Sequence, residues 1–173
     1  ENRVQDAKEK YNTIGNKVEW HMIGHLQTNK VKDAIKIFDL IQSIDSLKLA
    51  EKINEEAKKM NRIVDGLIEI NISGEQTKSG AKKEEINEIL LKISDMENLQ
   101  IKGLMTMAPY TQDTNIIRKC FADLKSLRDV IDNKFNNVKM KYLSMGMTND
   151  FEIAIEEGAN IIRIGTAIFG SRT

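Results

Sequence analysis

Met140-Lys141-Tyr142-Leu143-Ser144-Met145-Gly146-Met147-Thr148, and then Ile161-Ile162-Arg163-Ile164-Gly165-Thr166, are the two stretches on which the fold turns. Each is an apolar strand that opens into small or hydroxyl-bearing residues where a helix would start. Unpartnered backbone N–H groups at a helix start point outward and attract an anion. Gly165, lacking a Cβ, lets the backbone approach such an anion, while Thr166 and Thr148 add hydroxyls from neighbouring strand ends. Either motif alone would be read as a turn with helix caps. Two in succession read as a phosphate cradle, which in a βα barrel follows the last two strands.

Working outward, the same strand–helix rhythm recurs upstream. Val18–Gly24, Leu40–Asp45, Ile63–Ile72 and Ile101–Met107 read as four strands, which with Met140–Met145 and Ile161–Gly165 make six. Between them lie helical stripes: Leu49, Ile53, Ala57 and Met60; Ile86, Leu90 and Ile93; Ile117, Phe121, Leu124, Leu127 and Ile131. Asn149 with Glu152 suggests a capping box for the helix after the fifth strand. Regular alternation implies a parallel sheet with right-handed crossovers, either doubly wound or closed into a barrel. Two features favour an α/β barrel of the TIM (β/α)8 type. Polar residues (His25, Asn71, Thr106, Ser144 and Arg163) gather at the C-terminal strand ends, and no Gly-x-Gly-x-x-Gly follows an early strand. A full barrel needs eight strands and about 250 residues. The chain opens on a helical reading from Glu1, so the first two strands are expected upstream of it.

The 173 residues are read as a single domain, 1–173. Lys plus Arg and Asp plus Glu both number 26, and no basic block interleaves with aromatics, which argues against a nucleic-acid partner. No run is long enough for a membrane span, and no signal-peptide pattern opens the chain. The single Cys120 leaves no intrachain disulfide and points to a reducing compartment, so a cytoplasmic location is expected.

Several candidates have plainer readings. Arg163 inside an apolar strand needs an acceptor, a carboxylate or a ligand atom, because an unpaired buried charge costs several kcal/mol. His21 and His25 do not make a compact metal pair on a strand, and His25 is read as a rim residue bonding a loop. The loop Ser73–Gly80 lacks Walker spacing and is read as a solvated rim loop. Lys82-Lys83-Glu84-Glu85 reads as a solvated helix start. The rim acids and bases His25, Glu69 and Glu75 show no convincing catalytic arrangement.

Taken together, Trp20–Lys30, Asn71–Glu75 with Lys78-Ser79-Gly80, Gly103–Met107, Leu143–Met147 and Arg163–Gly170 resemble the pyridoxal 5'-phosphate (PLP) homeostasis protein family of the YggS/PROSC type. The resemblance extends from Glu1-Asn2-Arg3-Val4-Gln5 to the end of the chain. It implies PLP fold type III, similar to the barrel of alanine racemase, with PLP as cofactor. It further implies that Thr148, Gly165 and Thr166 hold the phosphate, that Arg163 faces the pyridine nitrogen, and that Asn2 lies near the ring. Ser144 and Met107 line the pocket. The family usually has Ser where this chain has Thr148, which keeps the hydroxyl. The family's Schiff-base lysine belongs to a segment upstream of residue 1. Lys102, Lys139 and Lys141 lie at strand starts, and Lys30 and Lys78 lie in loops, so none replaces it.

The resulting expectation is a PLP-binding protein of intracellular PLP homeostasis that buffers the cofactor and delivers it to apo-enzymes, without robust catalysis. Two alternatives stand beside it: an amino-acid racemase-like PLP enzyme, and a barrel enzyme acting on a phosphorylated metabolite. Open sheet edges left by absent strands would favour association.

Overall fold

The structure, a computed structural model, describes residues 1–75, 78–132, 134 and 138–170. In chain order the elements are α1 (Val4–Ile14), β1 (His21–Met22), α2 (Val31–Ile37), β2 (Leu40–Ile44), α3 (Leu47–Lys59), β3 (Val64–Asn71), β4 (Ala81–Lys82), α4 (Ile86–Ile93), β5 (Leu99–Met105), α5 (Thr114–Asp132), β6 (Tyr142–Met147), α6 (Phe151–Glu156), β7 (Ile161–Arg163) and α7 (Thr166–Phe169).

All strand pairs are parallel, and the sheet runs β1-β2-β3-β5-β6-β7 with β4 attached to β3 off this path. The order never reverses, so there is no topological switch point and the doubly wound alternative falls. The sheet also curls. β2 and β6 are three positions apart, roughly 14 Å in a flat sheet, yet Ser144 of β6 donates a 2.6 Å hydrogen bond to Gln42 of β2. Such a contact requires an arc whose concave side is a barrel interior.

The two faces of the sheet separate the core in two. On the convex side, Ile41, Ile44, Val64, Ile68, Leu104, Leu143 and Met145 pack against the helices. The helical stripes meet them as the sequence spacing requires: Leu49, Ile53 and Ala57 of α3, Ile86, Leu90 and Ile93 of α4, and Ile117, Phe121, Leu124 and Ile131 of α5 are buried. On the concave side Leu40, Leu67 and Met105 form a separate small cluster, joined by Tyr142 and Ile161. β2 is buried on both faces along its whole length, its polar Gln42 and Ser43 included.

The structure departs from the sequence reading at several boundaries. The first strand shrinks to His21–Met22, because Trp20 turns its N–H to the Asp39 carboxylate at 2.8 Å and its carbonyl accepts from Asp39 and Leu40. The fourth strand of the sequence reading begins earlier, at Leu99, and the fifth runs on to Met147. β4 was not read from the sequence; two residues give no periodicity. Asn149 does not cap α6. The N-cap is Asp150, without a side-chain cap bond, and its carboxylate instead accepts from the Met147 N–H at 2.6 Å.

Candidate functional site

Strand direction places one polar layer directly above the concave apolar layer. Side chains two residues apart share a face of a strand, so Gln42 stands above Leu40, Glu69 above Leu67, Ser144 above Tyr142 and Arg163 above Ile161. These four polar residues therefore face the barrel interior toward the C-terminal strand ends.

Arg163 is the centre of this layer. Its Nη1 donates to Ser144 Oγ at 2.7 Å and its Nη2 to the Thr106 carbonyl at 2.8 Å. The protein acceptors are thus neutral groups of β6 and of the residue after β5 rather than a carboxylate. Strand closeness supplies them: Thr106 N–H itself bonds the Ser144 carbonyl, and the Thr106 hydroxyl donates to the Ile70 carbonyl. Burial pulls the Arg163 guanidinium down to about 10, opposed by the Glu69 and Asp150 carboxylates, so it stays cationic at neutral pH.

Glu69 is 3 % exposed, and its side chain makes no hydrogen bond or ion pair among the described residues. Burial, reinforced by the Asp45 carboxylate, pushes its carboxyl up to about 7, while Arg163 and His25 act in the opposite direction. His25, mostly exposed at the rim, lies with Nδ1 3.1 Å from the Asp45 carboxylate just beyond β2. This is the loop bond read from the sequence.

The two proposed cradle ends meet. Thr166 Oγ1 donates to Thr148 Oγ1 at 3.1 Å across the ends of β6 and β7, and Gly165 has open space where a side chain would begin. α7 is a single turn, so its dipole is small. Two hydroxyls and the first-turn amides are the hydrogen-bonding groups gathered there. Asn2 is exposed, and its carbonyl would lie 2.3 Å from a Cβ on Gly24, so only glycine lets the N-terminal segment cross the end of β1. Ser144 lies in the interior as a relay between Arg163 and Gln42, and Met107 is half-buried just past β5.

Other candidates sit elsewhere. Lys102 lies beside Gln100 and Asp65 at the opposite end of the sheet. There an open groove of about 420 Å³ runs between the end of α4 and the start of β5. Lys78 pairs with Glu75 at 2.7 Å, in a loop whose Asn71 side chain bonds the Glu75 carbonyl and the Gly74 N–H. Gln76 and Thr77 of that loop lie outside the described residues. Among the described residues no group of three or more His, Cys, Asp or Glu is placed to hold a metal. None of their helices is long and apolar enough to cross a membrane.

Sequence reasoning passed over Gln42, weighed His21 only as half of a rejected metal pair, and named Glu69 only as a weak acid/base candidate. A signal was present for two of them: Gln42 and Glu69 each interrupt an apolar strand at the same register as Ser144 and Arg163 in theirs.

The comparisons bear on the family and the fold. The family model described as alanine racemase, N-terminal domain, matches residues 3–173. A pyridoxal phosphate homeostasis protein of Aquifex aeolicus is 45% identical over 173 residues, covering 99% of this chain and 75% of the relative. One from Helicobacter pylori is 41% identical over 172 residues, covering 98% of this chain and 75% of the relative. The solved structure of PipY from Synechococcus elongatus with PLP bound superposes with a TM-score of 0.90 at 31% identity, covering 98% of this chain and 79% of PipY. An alanine racemase from Clostridium difficile, 20% identical with a TM-score of 0.83, covers 99% of this chain and 44% of the racemase, and shares the fold. The chain belongs to the alanine racemase N-terminal domain family and, within it, to the pyridoxal phosphate homeostasis proteins.

Proposed function

We propose that this chain binds pyridoxal 5'-phosphate at the rim formed by β5, β6 and β7 and serves intracellular PLP homeostasis, buffering the cofactor and delivering it to apo-enzymes. The observation that carries the reading is the meeting of Arg163, held by two neutral acceptors, with the Thr148–Thr166 hydroxyl pair at one rim. The residues fit the group: hydroxyls and first-turn amides suit a phosphate dianion, and an oriented guanidinium suits a heterocyclic nitrogen acceptor. Thr148, Gly165 and Thr166 hold the phosphate, Arg163 meets the ring, Asn2 closes one side, and Ser144 and Met107 complete the lining. PLP serves as an electron sink in enzymes, and a cation at the ring nitrogen disfavours protonation and weakens that sink. Holding the cofactor, rather than turning over substrate, is what this arrangement suits.

Spectrophotometric titration with PLP tests the reading. Thr166→Val removes one hydroxyl and is expected to weaken binding about tenfold. Absence of saturable binding to the wild-type protein would refute it.

One observation favours a second reading, racemase-like chemistry. Glu69, with its carboxyl at about 7, and the His25–Asp45 pair are proton-holding groups near the same rim. Incubation with alanine and serine enantiomers decides between them, since turnover above about 1 per second would mark a dedicated enzyme.

A further inference from the structure

Arg163 does not end at Ser144. Ser144 Oγ donates onward to Gln42 Oε1 at 2.6 Å, and Gln42 Nε2 lies 2.9 Å from His21 Nδ1. The chain crosses the barrel interior from β7 through β6 and β2 to β1, linking residues far apart in sequence.

Its direction follows from one end. A guanidinium has donors only, so Ser144 Oγ must accept from Arg163. The hydroxyl proton is then left for Gln42, whose facing atom must be the carbonyl oxygen. The amide NH2 of Gln42 is thereby turned toward His21, and Nδ1 must be the acceptor. His21 is left with its proton on Nε2, the nitrogen that lies 3.9 Å from the Glu19 carboxylate. No link can reverse while Arg163 is in place. Gln42 and Ser144 are buried, so water does not compete for these bonds.

We propose that Gln42 and His21 are positioning residues for Arg163: a one-way hydrogen-bond relay locks His21 in its Nε2–H tautomer and fixes the orientation of the guanidinium at the ligand site. The inference rests on the proposed PLP site for its consequence, but not for the relay itself. His21 acts at a distance, through Gln42 and Ser144, and touches no ligand. Burial lowers the pKa of His21, and Glu19 and Asp39 oppose it, which accords with a neutral ring.

Long-range nitrogen–proton correlation spectra of the His21 ring test the relay in the ligand-free protein. The wild type is expected to show the Nε2–H tautomer, and Ser144→Ala, which frees the Gln42 amide to rotate, a mixture of both. Two substitutions at one position then separate positioning from packing. Gln42→Met fills the space but removes the acceptor for Ser144, and PLP affinity is expected to fall about tenfold. Gln42→Glu keeps that acceptor while facing His21 with an oxygen. It is expected to move the His21 proton to Nδ1 yet leave PLP affinity within about threefold of wild type. A wild-type Nδ1–H tautomer, unchanged ring spectra in Ser144→Ala, or equal loss of PLP affinity in both Gln42 variants would overturn the proposal. Because the spectra need no cofactor, a wild-type protein that failed to bind PLP would refute the proposed function while the spectra still decided the relay.

Discussion

Replacing Glu69 by Gln tests whether the interior above the apolar layer holds a carboxyl at thermodynamic cost. The side chain is 3 % exposed and has no hydrogen-bond or ion-pair partner among the described residues. Its folded-state pKa is raised from the ordinary 4.5 to about 7, first by burial and then by Asp45. The sign is fixed by proton counting. Between 4.5 and about 7 the native state keeps a proton that the unfolded state has released, so stability falls as pH rises through that window. Below it Glu69 is neutral in both states and costs nothing. Above it the full penalty applies, and at ~1.4 kcal/mol per tenfold change in proton activity it reaches about 3 kcal/mol. Glu69→Gln is isosteric and neutral at every pH. Urea unfolding of both proteins should show a near-constant difference at pH 4 and below, and the variant gaining up to about 3 kcal/mol relative to wild type by pH 8. Any effect of the new amide on packing is a fixed offset, since it does not titrate. A difference that does not change with pH would show that Glu69 is ionised at little cost, and the reasoning would fail.

Two further substitutions test the packing. A Cβ on Gly103 would lie 2.0 Å from the Tyr142 carbonyl oxygen, and the next nearest atoms are also Tyr142 backbone, which cannot swing aside as a side chain can. Gly103→Ala should therefore lower stability by at least about 3 kcal/mol in thermal or urea unfolding, and a near-neutral effect would mean that β5 and β6 do not approach this closely. Phe121 is fully buried between α5 and the sheet. Its replacement by Ala should cost about 3–5 kcal/mol in the same assay.

The sequence carries the strand–helix alternation and the apolar stripes, because periodicity reports which side of an element is buried. It carries less about where strands begin. β1 starts late because a side chain 19 positions away, Asp39, captures the Trp20 N–H, and long-range bonds leave no local trace. The meeting of the last two strand ends was legible: Thr148 and Thr166 follow those ends and their hydroxyls touch, as strand ends converge in a parallel barrel. Arg163 was legible as an interior cation, but its acceptors were not. A backbone carbonyl at Thr106 has no side-chain signature, and Ser144 looks like any small strand residue. The Gln42 link depends on curvature, since the residues it joins are separated by 102 positions. Only the recurrence of a polar residue two places after an inward apolar one, in four strands at once, could have announced the layer.

That layer argues for a site on energetic grounds. Arg163 and Glu69 carry opposite charges at the same level of one interior, yet no carboxylate lies within ion-pair distance of Arg163 among the described residues. Burying either group raises the free energy of the fold, as the displaced pKa values of both record. Stability alone would favour either direct pairing or the apolar side chains found one layer below. Arg163 is instead held by neutral acceptors, which preserve its net positive charge and orient it without quenching it. Glu69 is left a carboxyl that gains or loses its proton near neutrality. Two unquenched groups of opposite tendency, facing one interior from β3 and β7, suit a ligand that brings both an anion and a polar aromatic ring. The cost falls on the folded protein before any ligand arrives, which is why the Glu69→Gln variant should be more stable at pH 8 and, where that carboxyl contributes to recognition, a poorer binder of the cofactor.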